Sequence, residues 1–63
     1  MKRYKITAVN TEGQRIEAYT NSPYDSMDLF LEFYDNKYTD IRTYKLDTNT
    51  GQYKEIREQY AAV

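Results

Sequence analysis

The chain has 63 residues, with nine Lys and Arg against ten Asp and Glu, eight Tyr, and no His, Cys or Trp. That length allows one small domain, residues 1–63, and leaves no thiol for a disulfide and no Cys or His for a zinc site. Packing, paired strands and self-association are what remain to hold it together. A net charge of −1 implies neither nucleic acid nor membrane from overall charge. The longest apolar run, Leu29–Phe30–Leu31, is far below the ~18–20 residues that span a bilayer. No charged-then-apolar leader follows Met1, so the reading is a cytoplasmic chain with no membrane partner.

Lys2 to Val9 alternates, with Tyr4, Ile6 and Ala8 on one side and Arg3, Lys5, Thr7 and Val9 on the other, the period of a half-buried strand. Asn10-Thr11-Glu12-Gly13 reads as a type I turn closed by a left-handed Gly in a G1 bulge, where any side chain would be strained. That turn sets Ala8 opposite Ile16, Ile6 opposite Ala18 and Tyr4 opposite Thr20, so the small apolar residues share one face.

Ser22-Pro23-Tyr24-Asp25 carries three helix-start signals: a Ser N-cap, Pro at the first helical position and an acid at the third. Met27, Phe30, Leu31 and Tyr34 follow at i, i+3, i+4 and i+7 and are read as the core stripe. Asp35-Asn36 should end the helix, with Asn36 as a left-handed cap.

A second alternating stretch, about Asp40 to Leu46, leads into Asp47-Thr48-Asn49-Thr50-Gly51, read as the same turn. That turn sets Leu46 opposite Lys54, Tyr44 opposite Ile56 and Lys45 opposite Glu55, and superimposing Gly13 on Gly51 matches Ile6 with Tyr44, Ala8 with Leu46 and Ala18 with Ile56. Ile41 then has solvent-side parity, and Arg42, Lys54 and Glu58 core-side parity, which a bulge near Ile41 or an edge position would resolve. The tail Gln59-Tyr60-Ala61-Ala62-Val63 either extends the last strand or frays. The predicted architecture is α+β: ββαββ, two hairpins forming a four-stranded antiparallel-type sheet with one helix on one face, strand order open.

The chemistry for catalysis is sparse. The common general base, the thiol nucleophile and soft metal ligands are missing, and both glycines are spent on turns rather than on a phosphate loop. The chain is therefore read as a non-enzyme without cofactor or metal. Three surfaces are candidates for binding. Asp25, Asp28, Glu32 and Asp35 lie at i, i+3, i+7 and i+10 on one helix face with no helix Lys or Arg to offset them. The last two oppose the helix dipole, so they are either a solvated face or a docking surface for a basic protein. On the same helix, Leu29 and Phe33 fall outside the core stripe and widen the apolar arc to about 220° at ~100° per residue. Either a strongly twisted sheet wraps them, or they anchor a protein partner or a second copy in a homodimer.

The third surface is the open face of the sheet, expected to carry Arg3, Lys5, Arg15, Lys45 and Arg57 against Glu17, Asp47 and Glu55, with Tyr19 and Tyr53. Rings interleaved with cations are the ingredients of a single-stranded nucleic-acid platform, although Tyr and Thr also simply favour strands. In compositional style the whole chain resembles the small accessory proteins of phages and mobile elements. That resemblance implies an inhibitor or adaptor that occludes a host protein, some such proteins presenting acids in place of DNA phosphates. No residue role is carried over from it.

Overall fold

The computed structural model describes residues 2–56. Four strands and one helix follow in the order β1 (Tyr4–Val9), β2 (Arg15–Thr20), α1 (Pro23–Asp35), β3 (Thr39–Asp47) and β4 (Gln52–Glu55). They form one antiparallel sheet of order β2-β1-β3-β4. This is the predicted ββαββ arrangement, and it places β1 and β3 at the centre. The expectations for the tail, for Arg57 and for Glu58 lie outside the described residues.

The first hairpin has the expected register: Tyr4 faces Thr20, Ile6 faces Ala18 and Ala8 faces Ile16. The Gly13 amide donates to the Asn10 carbonyl at 3.0 Å, and Gly13 has φ +84°. The Asn10 side chain accepts from the amides of Glu12 at 3.0 Å and Gln14 at 2.9 Å, the local bonding that makes Asn a turn initiator.

The second hairpin departs by one residue. Asp47 pairs with Gln52, so Leu46 faces Tyr53, Lys45 faces Lys54 and Tyr44 faces Glu55. The Gly51 amide donates to the Asp47 carbonyl at 2.7 Å, four residues back, whereas the Gly13 bond spans three. The loop is thus one residue longer than that of the first hairpin. Because side chains alternate with a period of two, that residue inverts every facing relation between the strands. Pairing of β3 with β1 decides which side turns inward: Ile6 faces Thr43 and Lys5 faces Tyr44. Ile41 and Thr43 therefore look toward the helix, while Arg42, Tyr44 and Leu46 look away, the reverse of the expected parity. The expected bulge is present, as a register shift between Thr7 and Val9 opposite Asp40, which has φ +48°.

The helix begins as read. Ser22 Oγ accepts from the amides of Tyr24 at 3.2 Å and Asp25 at 3.4 Å, with Pro23 following the cap. Its end differs. Asn36 has φ −83°, and Lys37, at φ +67°, is the left-handed residue. The Tyr38 amide reaches the Phe33 carbonyl at 3.0 Å and the Lys37 amide the Tyr34 carbonyl at 3.1 Å, a Schellman closure. Its accompanying apolar contact is the stack of Tyr38 on Phe33, ring centroids 5.3 Å apart.

The core also corrects the helix stripe. Ile6, Ala8 and Phe33 are buried together, with Ile16, Ala18, Leu29, Tyr38 and Ile41 packed against them. Ser26 is fully buried. The inward stripe therefore runs through Ser26, Leu29 and Phe33, rotated from the expected one, while Leu31 and Tyr34 face solvent. A small residue at 26 lets the helix axis sit close to the sheet, and that approach favours the orientation carrying Phe33 inward.

Thr43 is 3% exposed, and its hydroxyl has no hydrogen-bond partner among the described residues. An unpaired buried hydroxyl costs roughly 1–3 kcal/mol. Thr43→Val keeps the shape and removes that cost, so it should raise stability by about 1 kcal/mol in urea denaturation. A loss of stability instead would mean that the hydroxyl is satisfied.

Candidate functional site

Two surfaces of different character remain once the core is placed. The first is the outward half of α1. Asp25, Asp28, Glu32 and Asp35 are all exposed, and none forms an ion pair among the described residues. Leu29 and Phe33, expected as partner anchors, are not beside them: Phe33 is in the core and Leu29 packs against it. Tyr24, Leu31 and Tyr34 take the outward place, at 81% exposure for Tyr24, 40% for Leu31 and 67% for Tyr34, with the half-buried Met27 in line with them. These four repeat the i, i+3, i+7, i+10 spacing of the acids exactly one residue earlier. An apolar strip and an acidic strip consequently run side by side along the outer helix, each roughly 15 Å long at 1.5 Å per residue. The spacing is visible in the sequence; what hid it was the assignment of Leu31 and Tyr34 to the core.

Retaining Glu32 and Asp35 near the C-terminal end of the helix costs about 0.3–1 kcal/mol each against the dipole. The last turn carries no basic residue to offset it. Asn36 assists the closure instead, its side-chain amide donating to the Glu32 carbonyl at 2.8 Å.

The second surface is the open face of the sheet. Tyr19, Lys5, Tyr44 and Glu55 form one row across all four strands, and Glu17, Thr7 and Arg42 the next. Tyr53 joins the first row by leaning inward. Its ring centroid lies 6.0 Å from that of Tyr19, and its hydroxyl donates to the Lys2 carbonyl at 2.6 Å. The Lys5 ammonium rests 4.6 Å from the Tyr44 ring centroid and 5.1 Å from that of Tyr53. Tyr19 donates its hydroxyl to Glu17 at 2.7 Å, and that bond, with the nearby carboxylate charge, holds the phenol above its usual range.

Beside this cluster, Arg15 and Arg42 converge on Asp40. Arg15 Nη2 and Arg42 Nε donate to its two carboxylate oxygens, the latter at 3.0 Å. The Arg15 bond first and the Arg42 bond second hold this carboxyl below the usual carboxylate range. Arg42 also reaches Glu55 at 3.3 Å. Lys5, Thr7, Arg15, Glu17, Asp40, Arg42 and Tyr44 line a shallow depression of about 410 Å³.

Of the residues expected on this face, Lys5, Arg15, Tyr19 and Tyr53 are there, and Arg3 shares the alternation of Lys5. Arg57 lies outside the described residues. Lys45 is not on this face: it stands on the helix side in a row with Tyr4 and Lys54. The expected Lys45–Glu55 pair is replaced by Lys54–Asp47 at 2.9 Å, so Asp47 too belongs to the helix side. That bond is the main cause holding the Asp47 carboxyl below its usual range. Asp40, Arg42 and Tyr44 are the functional candidates the sequence reading missed, the last two through the inverted parity of β3.

Among the described residues, no three acidic, His or Cys side chains gather closely enough to hold a metal ion, and no helix is long and apolar enough to cross a membrane. No protein family, curated protein or solved structure matches the chain.

Proposed function

We propose that this protein is a non-catalytic protein-binding module, an inhibitor or adaptor that occludes its partner through the outer face of α1. One observation carries the reading. Three of the four large exposed apolar side chains among the described residues, Tyr24, Leu31 and Tyr34, lie on this helix face, beside four unpaired acids. Solvated helices do not need aromatic side chains outward, whereas interface centres select them. The partner that fits is a protein with an apolar cleft bordered on one side by Lys and Arg, such as the wall of a nucleic-acid channel. A second copy of this chain brings four more acids and no helix cation, so it fits less well. The apolar strip supplies affinity, and the acids speed encounter and set orientation. This mode of action agrees with the accessory-protein style of the composition.

The test is capture from a host lysate with nuclease present, followed by titration of the captured protein. Tyr24→Ser, Leu31→Ser and Tyr34→Ser together should weaken binding by about 100-fold or more, with the melting curve little changed because all three side chains face water. Association should slow as salt rises. Equal binding by the triple variant would refute the helix face as the binding surface.

A further inference from the structure

The open face of the sheet carries a second inference, independent of the helix. Two guanidinium groups, from Arg15 on β2 and Arg42 on β3, point at one carboxylate, Asp40, which stands on a bulge with φ +48°. Arg15 Nη1 also reaches Thr7 Oγ1, at 3.3 Å, on the floor of the depression. A paired-arginine fork is a receptor for a planar or tetrahedral oxyanion, and here an internal carboxylate occupies it. The ion pairs holding Asp40 there are open to water, with the three side chains 40–46% exposed, so solvent screening keeps them weak and exchangeable.

Next to this fork stand the rings of Tyr44, Tyr53 and Tyr19, with the Lys5 ammonium over two of them. Phosphate receptors and stacking surfaces within one side chain's reach of each other match the repeating unit of a nucleic-acid strand. Rings lying open on a sheet can stack on unpaired bases, but duplex bases offer them no face.

We propose that this face binds single-stranded nucleic acid. A phosphate takes the place of the Asp40 carboxylate between Arg15 and Arg42, Lys5 turns from the rings to the strand, and a base stacks on Tyr44 and Tyr53. With Glu55 on Arg42 counted beside Glu17 and Asp40, three cations face three acids, and the site gains a positive excess of one charge only when Asp40 swings out.

The experiment is fluorescence anisotropy with a labelled oligothymidylate of about twelve nucleotides, titrated with the whole chain at low salt and at about 200 mM salt. Wild type should bind at low salt and weaken as salt rises. Asp40→Asn is the diagnostic variant, because Asn tolerates the left-handed backbone and opens the fork without removing a cation. It should bind about fivefold more tightly. Arg42→Ala and Tyr44→Ser should each weaken binding by about tenfold, the first with a shallower salt dependence. Thermal melts confirm that each variant is folded. No binding by wild type or Asp40→Asn would overturn the proposal, as would Asp40→Asn binding no better than wild type. Competition by inorganic phosphate or duplex DNA as effective as that of unlabelled oligothymidylate would overturn it too. The helix-face triple variant should bind the oligonucleotide like wild type, which keeps this result separate from the protein-binding reading.

Discussion

Phe33→Ala should remove most of the chain's stability at 25 °C, whereas Tyr34→Ala, one position later, should change stability by no more than about 0.5 kcal/mol. Phe33 is 8% exposed, is buried with Ile6 and Ala8, and stacks on Tyr38. Truncating a buried Phe costs roughly 3–5 kcal/mol through lost transfer energy and the cavity left behind. A domain of this length has in total about 0.05–0.15 kcal/mol per residue to lose, so the substitution removes most of its stability. The stack also closes the C-terminal end of the helix, and its loss leaves the strained Lys37 turn without its apolar contact. Urea denaturation followed by far-UV circular dichroism reads both variants. Similar midpoints for the two would mean that the helix is rotated from the orientation described.

Ser26→Leu should be the next most damaging change. Ser26 is fully buried at the helix–sheet contact, and a larger side chain there forces the helix away from β1 and β3. Overpacking of this kind costs about 1–3 kcal/mol. At roughly 4–8 °C per kcal/mol for a domain of this size, the melting temperature should fall by about 10 °C. An unchanged melting temperature would show that the helix is not seated closely enough for a small residue to matter. Both changes act on the platform that displays the outer helix face, so partner binding by these variants is interpretable only where they remain folded.

The sheet face has a different energetic character from the core. Its ion pairs are solvent-exposed and screened by water, so they contribute little to stability yet keep charged groups aligned. Lys45 directly opposite Lys54 is a small liability, offset by the contact of Lys54 with Asp47. A surface whose charges are this loosely held can exchange partners without loss of the fold.

By itself the sequence determined several features governed by neighbours along the chain, although it misplaced the second turn and the left-handed residue of the helix cap by one position each. The Asn10–Gly13 turn set the register of the first hairpin, Ser22 and Pro23 set where the helix starts, and alternation marked the strands, giving the ββαββ order. It also displayed the acidic strip, because spacing alone defines a helix face. What it could not decide was which of two nearly equivalent faces turns inward. Apolar side chains occupy so much of the helix circumference that Leu31 with Tyr34, or Leu29 with Phe33, satisfied the local pattern equally. Only contact with the sheet, close at the small Ser26, selected the second pair. The faces of β3 were likewise out of reach, because its pairing partner is β1, thirty or more residues away. One extra residue in the Asp47–Gln52 loop was enough to invert the local estimate. The meeting of Arg15 on β2 with Asp40 and Arg42 on β3 exists only after that long-range pairing has formed.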